Sequence, residues 1–172
     1  MAQAMTFLHS GHSGDVIYAL PSIRALGGGR ILLQPGHLKD SERNVWSEDS
    51  ALSLLPLLAV QPYVTDVAIV GMEADRVGDI SFEPFRKILR DGMTLVEAQA
   101  EHVGVGRRAL GESPWLCGIE PTPDLSDVIL FSRTTRYRGP VGFWDRAYSV
   151  FRDSAMFVGS GDEHGTFQSL YG

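Results

Sequence analysis

The stretch MTFLHSGHSGDVIYALPSIRALGGGRILLQP, residues 5 to 35, limits what this chain can fold into. It opens on a short apolar run, Met5 to Leu8, that reads as a strand. A polar loop, His9 to Ser13, follows. Val16, Ile17, Leu20, Ile23 and Leu26 then recur at helical spacing. Ser13 is the expected N-cap, and Asp15 falls in the first turn, where the helix dipole favours a negative charge. Pro21 is expected to kink or split the helix. Gly27, Gly28 and Gly29 end it, and Arg30 to Pro35 read as a second strand. Strand, helix, strand in about 30 residues is a βαβ unit.

The same alternation continues. His37 to Asp49 reads as a loop, Ser50 to Leu58 as a helix despite Pro56, and Val64 to Gly71 as a third strand. Phe82 to Arg90 and Thr94 to Val103 read as helices. Prolines 114, 121 and 123 and glycines 104, 106, 111 and 118 mark Gly104 to Ser126 as a linker or irregular crossover, with Trp115 and Leu116 as anchors. A second βαβ unit follows: strand Asp127 to Ser132, helix Trp144 to Arg152, strand Ala155 to Gly159. A last helix starts after Ser160. The expectation is an α/β fold, a Rossmann-like parallel sheet with flanking helices, with domains at 1–125 and 126–172.

The 172 residues are 44% hydrophobic and 21% charged, a globular composition with a formal net charge of −6. That balance argues against a nucleic-acid coat. The single cysteine, Cys117, can form neither an intrachain disulfide nor a cysteine-based zinc site, and suits a reducing, cytoplasmic compartment. No apolar run is long enough to span a membrane, which leaves a peripheral membrane contact open.

Three segments can carry chemistry. The loop with His12, Ser13, Gly14 and Asp15 follows a strand and opens a helix, where open α/β sheets bind ligands. Asp15 has two readings here: a helix-capping charge, or a base for a substrate hydroxyl. The loop is neither a Walker A motif nor a G-x-G-x-x-G fingerprint, which weighs against a nicotinamide oxidoreductase. The second segment, FSRTTRYRGP, holds Arg133, Arg136 and Arg138 among the hydroxyls of Ser132, Thr134, Thr135 and Tyr137. Guanidinium forks and hydroxyls suit phosphate oxygens, and a solvated basic loop is the alternative. The third, FVGSGDEHGTF, offers Gly159, Glu163 and His164 as ligand contacts, or an ordinary acidic first turn. His9 and His12 lie close in sequence without a third ligand at metal spacing.

Together these segments resemble the heptosyltransferase-like glycosyltransferases of GT-B architecture, built from two facing Rossmann-like domains. The resemblance rests on SGHSGDVIYALPSIRALGG, ISFEPFRK, TLVEAQAEHVGV followed by PWL, FSRTTRYRGPVGFW and FVGSGDEHGTF, in the family's order. It implies that Asp15 matches the catalytic aspartate that deprotonates the acceptor hydroxyl. It implies that Ser132, Arg133, Thr134 and Arg136 match the region holding donor phosphates. It implies sugar transfer from a nucleotide-sugar co-substrate to a glycan or other hydroxyl acceptor, with no metal or other cofactor. Family members continue past the position matching Gly172, so the second domain is expected to be truncated. A homo-oligomer could complete it. A chain of this kind either transfers a sugar or binds nucleotides and phosphates without turnover.

Overall fold

The computed structural model describes residues 4–36, 46–71, 78–119, 128–131, 142–158 and 161–171. The chain divides into two compact units, Met1–Ile119 and Glu120–Gly172.

The first unit begins with β1 (Met5–His9), α1 (Ser13–Ala25) and β2 (Gly29–Leu33). It continues through α2 (Glu48–Ala59), β3 (Val64–Ile69), the two-residue β4 (Ile80–Ser81) and α3 (Leu95–His102). The sheet runs β3-β2-β1-β4, and every neighbouring pair is parallel. Parallel strands covered on both faces are apolar throughout rather than alternating. Accordingly Phe7, Leu8, Ile31, Leu32 and Leu33 are all fully buried. Val16, Leu20 and Ile23 of α1 and Leu54 and Leu58 of α2 join Phe7, Ile31 and Leu33 in the main core.

The triple glycine ends α1 as expected, and the reason is visible. Gly27 N–H donates to the Arg24 carbonyl at 3.0 Å and Gly28 N–H to the Ile23 carbonyl at 2.9 Å, the Schellman pattern. A Cβ on Gly28 would lie 2.0 Å from the Tyr63 carbonyl oxygen, and one on Gly29 2.1 Å from that of Met5. The strands approach too closely here for any side chain.

Several expectations need correction. Pro21 does not divide α1, which is a single element from Ser13 to Ala25. Burial of Val16, Ala19 and Leu20 before it and Ile23 after it holds the two halves together against the loss of one backbone bond. Ser13 is not the N-cap; His12 is, and its side chain makes no capping bond. The loop reading of His37 to Asp49 fails at its end, because α2 starts at Glu48; residues 37–45 lie outside the described residues. The helix expected over Phe82 to Arg90 shrinks to a 3-10 turn, Glu83–Lys87. Three residues per turn stack positions i and i+3, which puts both Phe82 and Phe85 into the core. Thr94 caps α3 in a full capping box with Glu97.

The described part of the expected linker, 104–119, is fastened to the first unit. It contains a 3-10 turn, Arg107–Leu110. Arg24 donates to the carbonyls of Leu110 and Pro114, each at 2.8 Å, and to that of Ser113 at 3.2 Å. Gln61 exchanges two hydrogen bonds with the Cys117 backbone, at 2.8 and 3.1 Å. Tyr63 donates its hydroxyl to the Trp115 carbonyl. Trp115 and Leu116 pack on the core as anchors.

The second unit holds β5 (Ile129–Phe131), α4 (Phe143–Phe151), β6 (Ala155–Phe157) and α5 (Gly161–Tyr171). Its described strands, β5 and β6, are parallel, with Leu130 opposite Met156. Tyr148 of α4 meets Phe167 of α5 edge to face, with centroids 5.4 Å apart. Among the described residues of the chain, no helix is long and apolar enough to cross a membrane.

Candidate functional site

From β1 the chain moves outward to β2 and β3, then returns to β4 on the other side of β1. The strand order therefore switches direction at β1. Open α/β sheets place ligands at such a switch, outside the carboxyl ends of the strands. Two segments meet there: the loop from β1 into α1, and the 3-10 turn that follows β4.

His9 ends β1 and is 2% exposed. Its ring stacks on Phe82 at 5.7 Å and meets Phe85 at 6.4 Å. Its Nδ1 accepts the Gly11 N–H at 3.0 Å. That bond leaves the ring proton on Nε2, which has no partner among the described residues. Burial pushes the imidazole down to about 4; the Asp15 charge opposes this and the Arg86 charge adds to it. His9 is thus neutral at pH 7. Ser10 is also buried; its N–H donates to Glu83 Oε1 at 3.0 Å and its hydroxyl has no partner among the described residues.

Asp15 lies in the first turn of α1 and is buried. Its carboxylate pairs with the Arg86 guanidinium. Arg86 is half-exposed and sits 5.0 Å above the ring of Phe85. The Asp15 carbonyl oxygen accepts the Gln99 side-chain amide of α3 at 2.8 Å. Gly11 has no room for a side chain: a Cβ would lie 2.7 Å from His9 Cε1 and 2.9 Å from Asp15 Oδ2.

The remaining loop residues differ in their settings. His12 and Ser13 are half-buried, and Gly14 is exposed with nothing within 4 Å of a built Cβ. The Ser13 hydroxyl accepts the Trp46 indole N–H at 3.2 Å. Ser132, Arg133, Thr134, Arg136, Arg138 and Gly159 lie outside the described residues. Glu163 and His164 fall on the backbone of α5, in the second unit. Sequence reasoning missed Arg86, Glu83 and Gln99 as partners of the loop. ISFEPFRK carries part of the resemblance, and no local signal within it points to the site.

Two surface depressions, of about 540 and 770 Å³, lie elsewhere on the first unit. Both border Glu97, Arg107 and Leu110, and neither is lined by a residue of the β1–α1 loop. Among the described residues, no group of three or more His, Cys, Asp or Glu side chains is placed to hold a metal ion.

No protein-family model, no curated protein and no solved structure matches the chain.

Proposed function

We propose that the chain is a glycosyltransferase of the heptosyltransferase-like, GT-B kind. In this reading Asp15 takes the proton from an acceptor hydroxyl. The freed oxygen attacks the anomeric carbon of a nucleotide-sugar, and the bond from that carbon to the diphosphate breaks. Ser132, Arg133, Thr134, Arg136 and Arg138 hold the departing phosphates, and Gly159, Glu163 and His164 complete the donor contacts. His12, Ser13 and Gly14 position the acceptor.

One observation carries the reading. Asp15 is a buried carboxylate at the point where the strand order of a parallel sheet reverses, beside a glycine that brings the backbone against it. A capping role alone calls for a carboxylate facing the free N–H groups of α1. The Asp15 carboxylate pairs in addition with Arg86, from the 3-10 turn after β4.

The ion pair also favours a second reading, a nucleotide- or phosphate-binding module without turnover. Asp15 Oδ2 is already taken up by the Arg86 guanidinium, a structural partner that proton transfer does not require.

The test is incubation with a panel of UDP-, GDP- and ADP-sugars and sugar acceptors, following nucleoside diphosphate release, beside calorimetry with the same nucleotides. Release that disappears in Asp15→Asn supports transfer. Binding without release supports the module. Neither binding nor release removes both.

A further inference from the structure

The contacts around Asp15 close into a circuit. His9 Nδ1 takes the Gly11 N–H. Gly11 lies close enough to the Asp15 carboxylate that a Cβ on it would sit 2.9 Å from Asp15 Oδ2. Asp15 pairs with Arg86, Arg86 lies over Phe85, and Phe85 returns to the His9 ring. Each link joins a different pair of groups, and the circuit spans β1, its loop, α1 and the 3-10 turn after β4. A side chain held from two sides loses its other rotamers before any ligand arrives. Gln99 fixes the Asp15 backbone from a third side.

We propose that His9 and Arg86 are positioning residues for Asp15, acting through Gly11 and Phe85 to hold the carboxylate in one orientation. Neither residue needs to touch a substrate for this. His9 acts as an acceptor of a backbone N–H, so it works only with its Nδ1 unprotonated. Arg86 supplies the charge and, through one guanidinium nitrogen on Oδ2, sets the angle of the carboxylate. The functional meaning of this orientation rests on reading Asp15 as the base. The circuit itself is measurable without turnover.

The charged groups that act on the imidazole are Asp15 and Arg86, and further titratable side chains lie on the neighbouring segments. Asp15 belongs to α1, and Glu83 and Arg86 to the 3-10 turn. His12 belongs to the loop, and His102 of α3 bonds the Ser81 carbonyl at 2.8 Å. Asp15 is the carboxylate that favours His9 protonation.

The experiment is NMR on the intact chain and on Arg86→Met, Arg86→Lys and Asp15→Asn. Hydrogen exchange at the Gly11 amide is expected to accelerate about tenfold in Arg86→Met and in Asp15→Asn, although neither residue bonds that amide. Arg86→Lys, which keeps the cation, is expected to restore most of the protection. The titration midpoint of His9 is expected to fall in Asp15→Asn. Unchanged Gly11 exchange in both Arg86→Met and Asp15→Asn overturns the proposal. If Arg86→Met does not fold, Asp15→Asn and Arg86→Lys decide it by the same reading. Nucleotide-sugar turnover is followed separately on the same proteins. Faster exchange with no turnover in the wild type keeps the circuit and removes the base. Turnover with unmoved exchange keeps the base and removes the circuit.

Discussion

Arg86 reaches across the end of the sheet and pairs with Asp15, 71 residues earlier in the chain. The two partners are unequal: the Asp15 side chain is 8% exposed and that of Arg86 46%. Removing the arginine therefore leaves a buried carboxylate unpaired, whereas removing the carboxylate leaves a cation that water can solvate. A fully buried pair broken in this way costs about 3–5 kcal/mol. Because Arg86 is half-exposed, Arg86→Met is expected to cost about 1–3 kcal/mol. Asp15→Asn, which keeps a neutral acceptor, should cost less. Urea unfolding of the three proteins checks the order, and a larger loss for Asp15→Asn contradicts it.

Gly11 and Gly14 sit three residues apart and are expected to respond in opposite directions to the same substitution. At Gly11 an added methyl meets His9 Cε1 at 2.7 Å and Asp15 Oδ2 at 2.9 Å. The fully buried His9 ring cannot swing away freely, so Gly11→Ala should destabilise by about 1–3 kcal/mol. At Gly14 a Cβ meets nothing within 4 Å, and the residue lies inside α1. Gly14→Ala should be neutral or stabilise by up to about 1 kcal/mol. Thermal unfolding of both variants separates them, and a destabilised Gly14→Ala contradicts the open geometry.

How much of this was legible in the sequence depends on distance along the chain. The β1–α1–β2 unit was readable because periodicity, the loop glycines and the Gly27–Gly29 stop all act within a few residues. The capping box of Thr94 and Glu97 is equally local, and the helix expected there is present. The position of Asp15 in the first turn was readable, but its partner was not. Arg86 comes near only because β4 lies beside β1, and β4 is two residues long, too short to leave a periodic signal. The helix expected over Phe82 to Arg90 differs for another reason, visible in the spacing of Phe82 and Phe85. Residues three apart fit one face of an α-helix, and they fit a 3-10 turn as well.

The segment expected as a linker makes a further prediction. Arg24 donates to three carbonyls between Leu110 and Pro114. Hydrogen bonds from a charged donor contribute about 1.5–3 kcal/mol each when buried, and less when partly exposed as here. Arg24→Met should cost about 1–2 kcal/mol and loosen the segment before the core. Limited chymotrypsin digestion is expected to cut near Trp115 in the variant while the wild type resists. Equal resistance would show that Gln61 and Tyr63 suffice as anchors.

The pH dependence of stability follows from His9. Its imidazole titrates near 4 in the folded chain, against an ordinary value of 6.5. Between those values the unfolded chain holds more protons than the folded one, so stability falls as pH falls. The contribution is complete above 6.5, declines through the window, and declines no further below about 4. A displacement of this size corresponds to about 3 kcal/mol. Physically, acid puts a proton on Nδ1, and the Gly11 N–H loses its acceptor. Carboxylates elsewhere also respond to acid, so the quantity to measure is a difference. Urea unfolding of the wild type and of His9→Gln at about pH 7 and about pH 4.5 isolates it. The gap between the two proteins should shrink at the lower pH, because His9→Gln has no proton to gain. An equal gap at both values means that His9 does not set the acid limit of this fold.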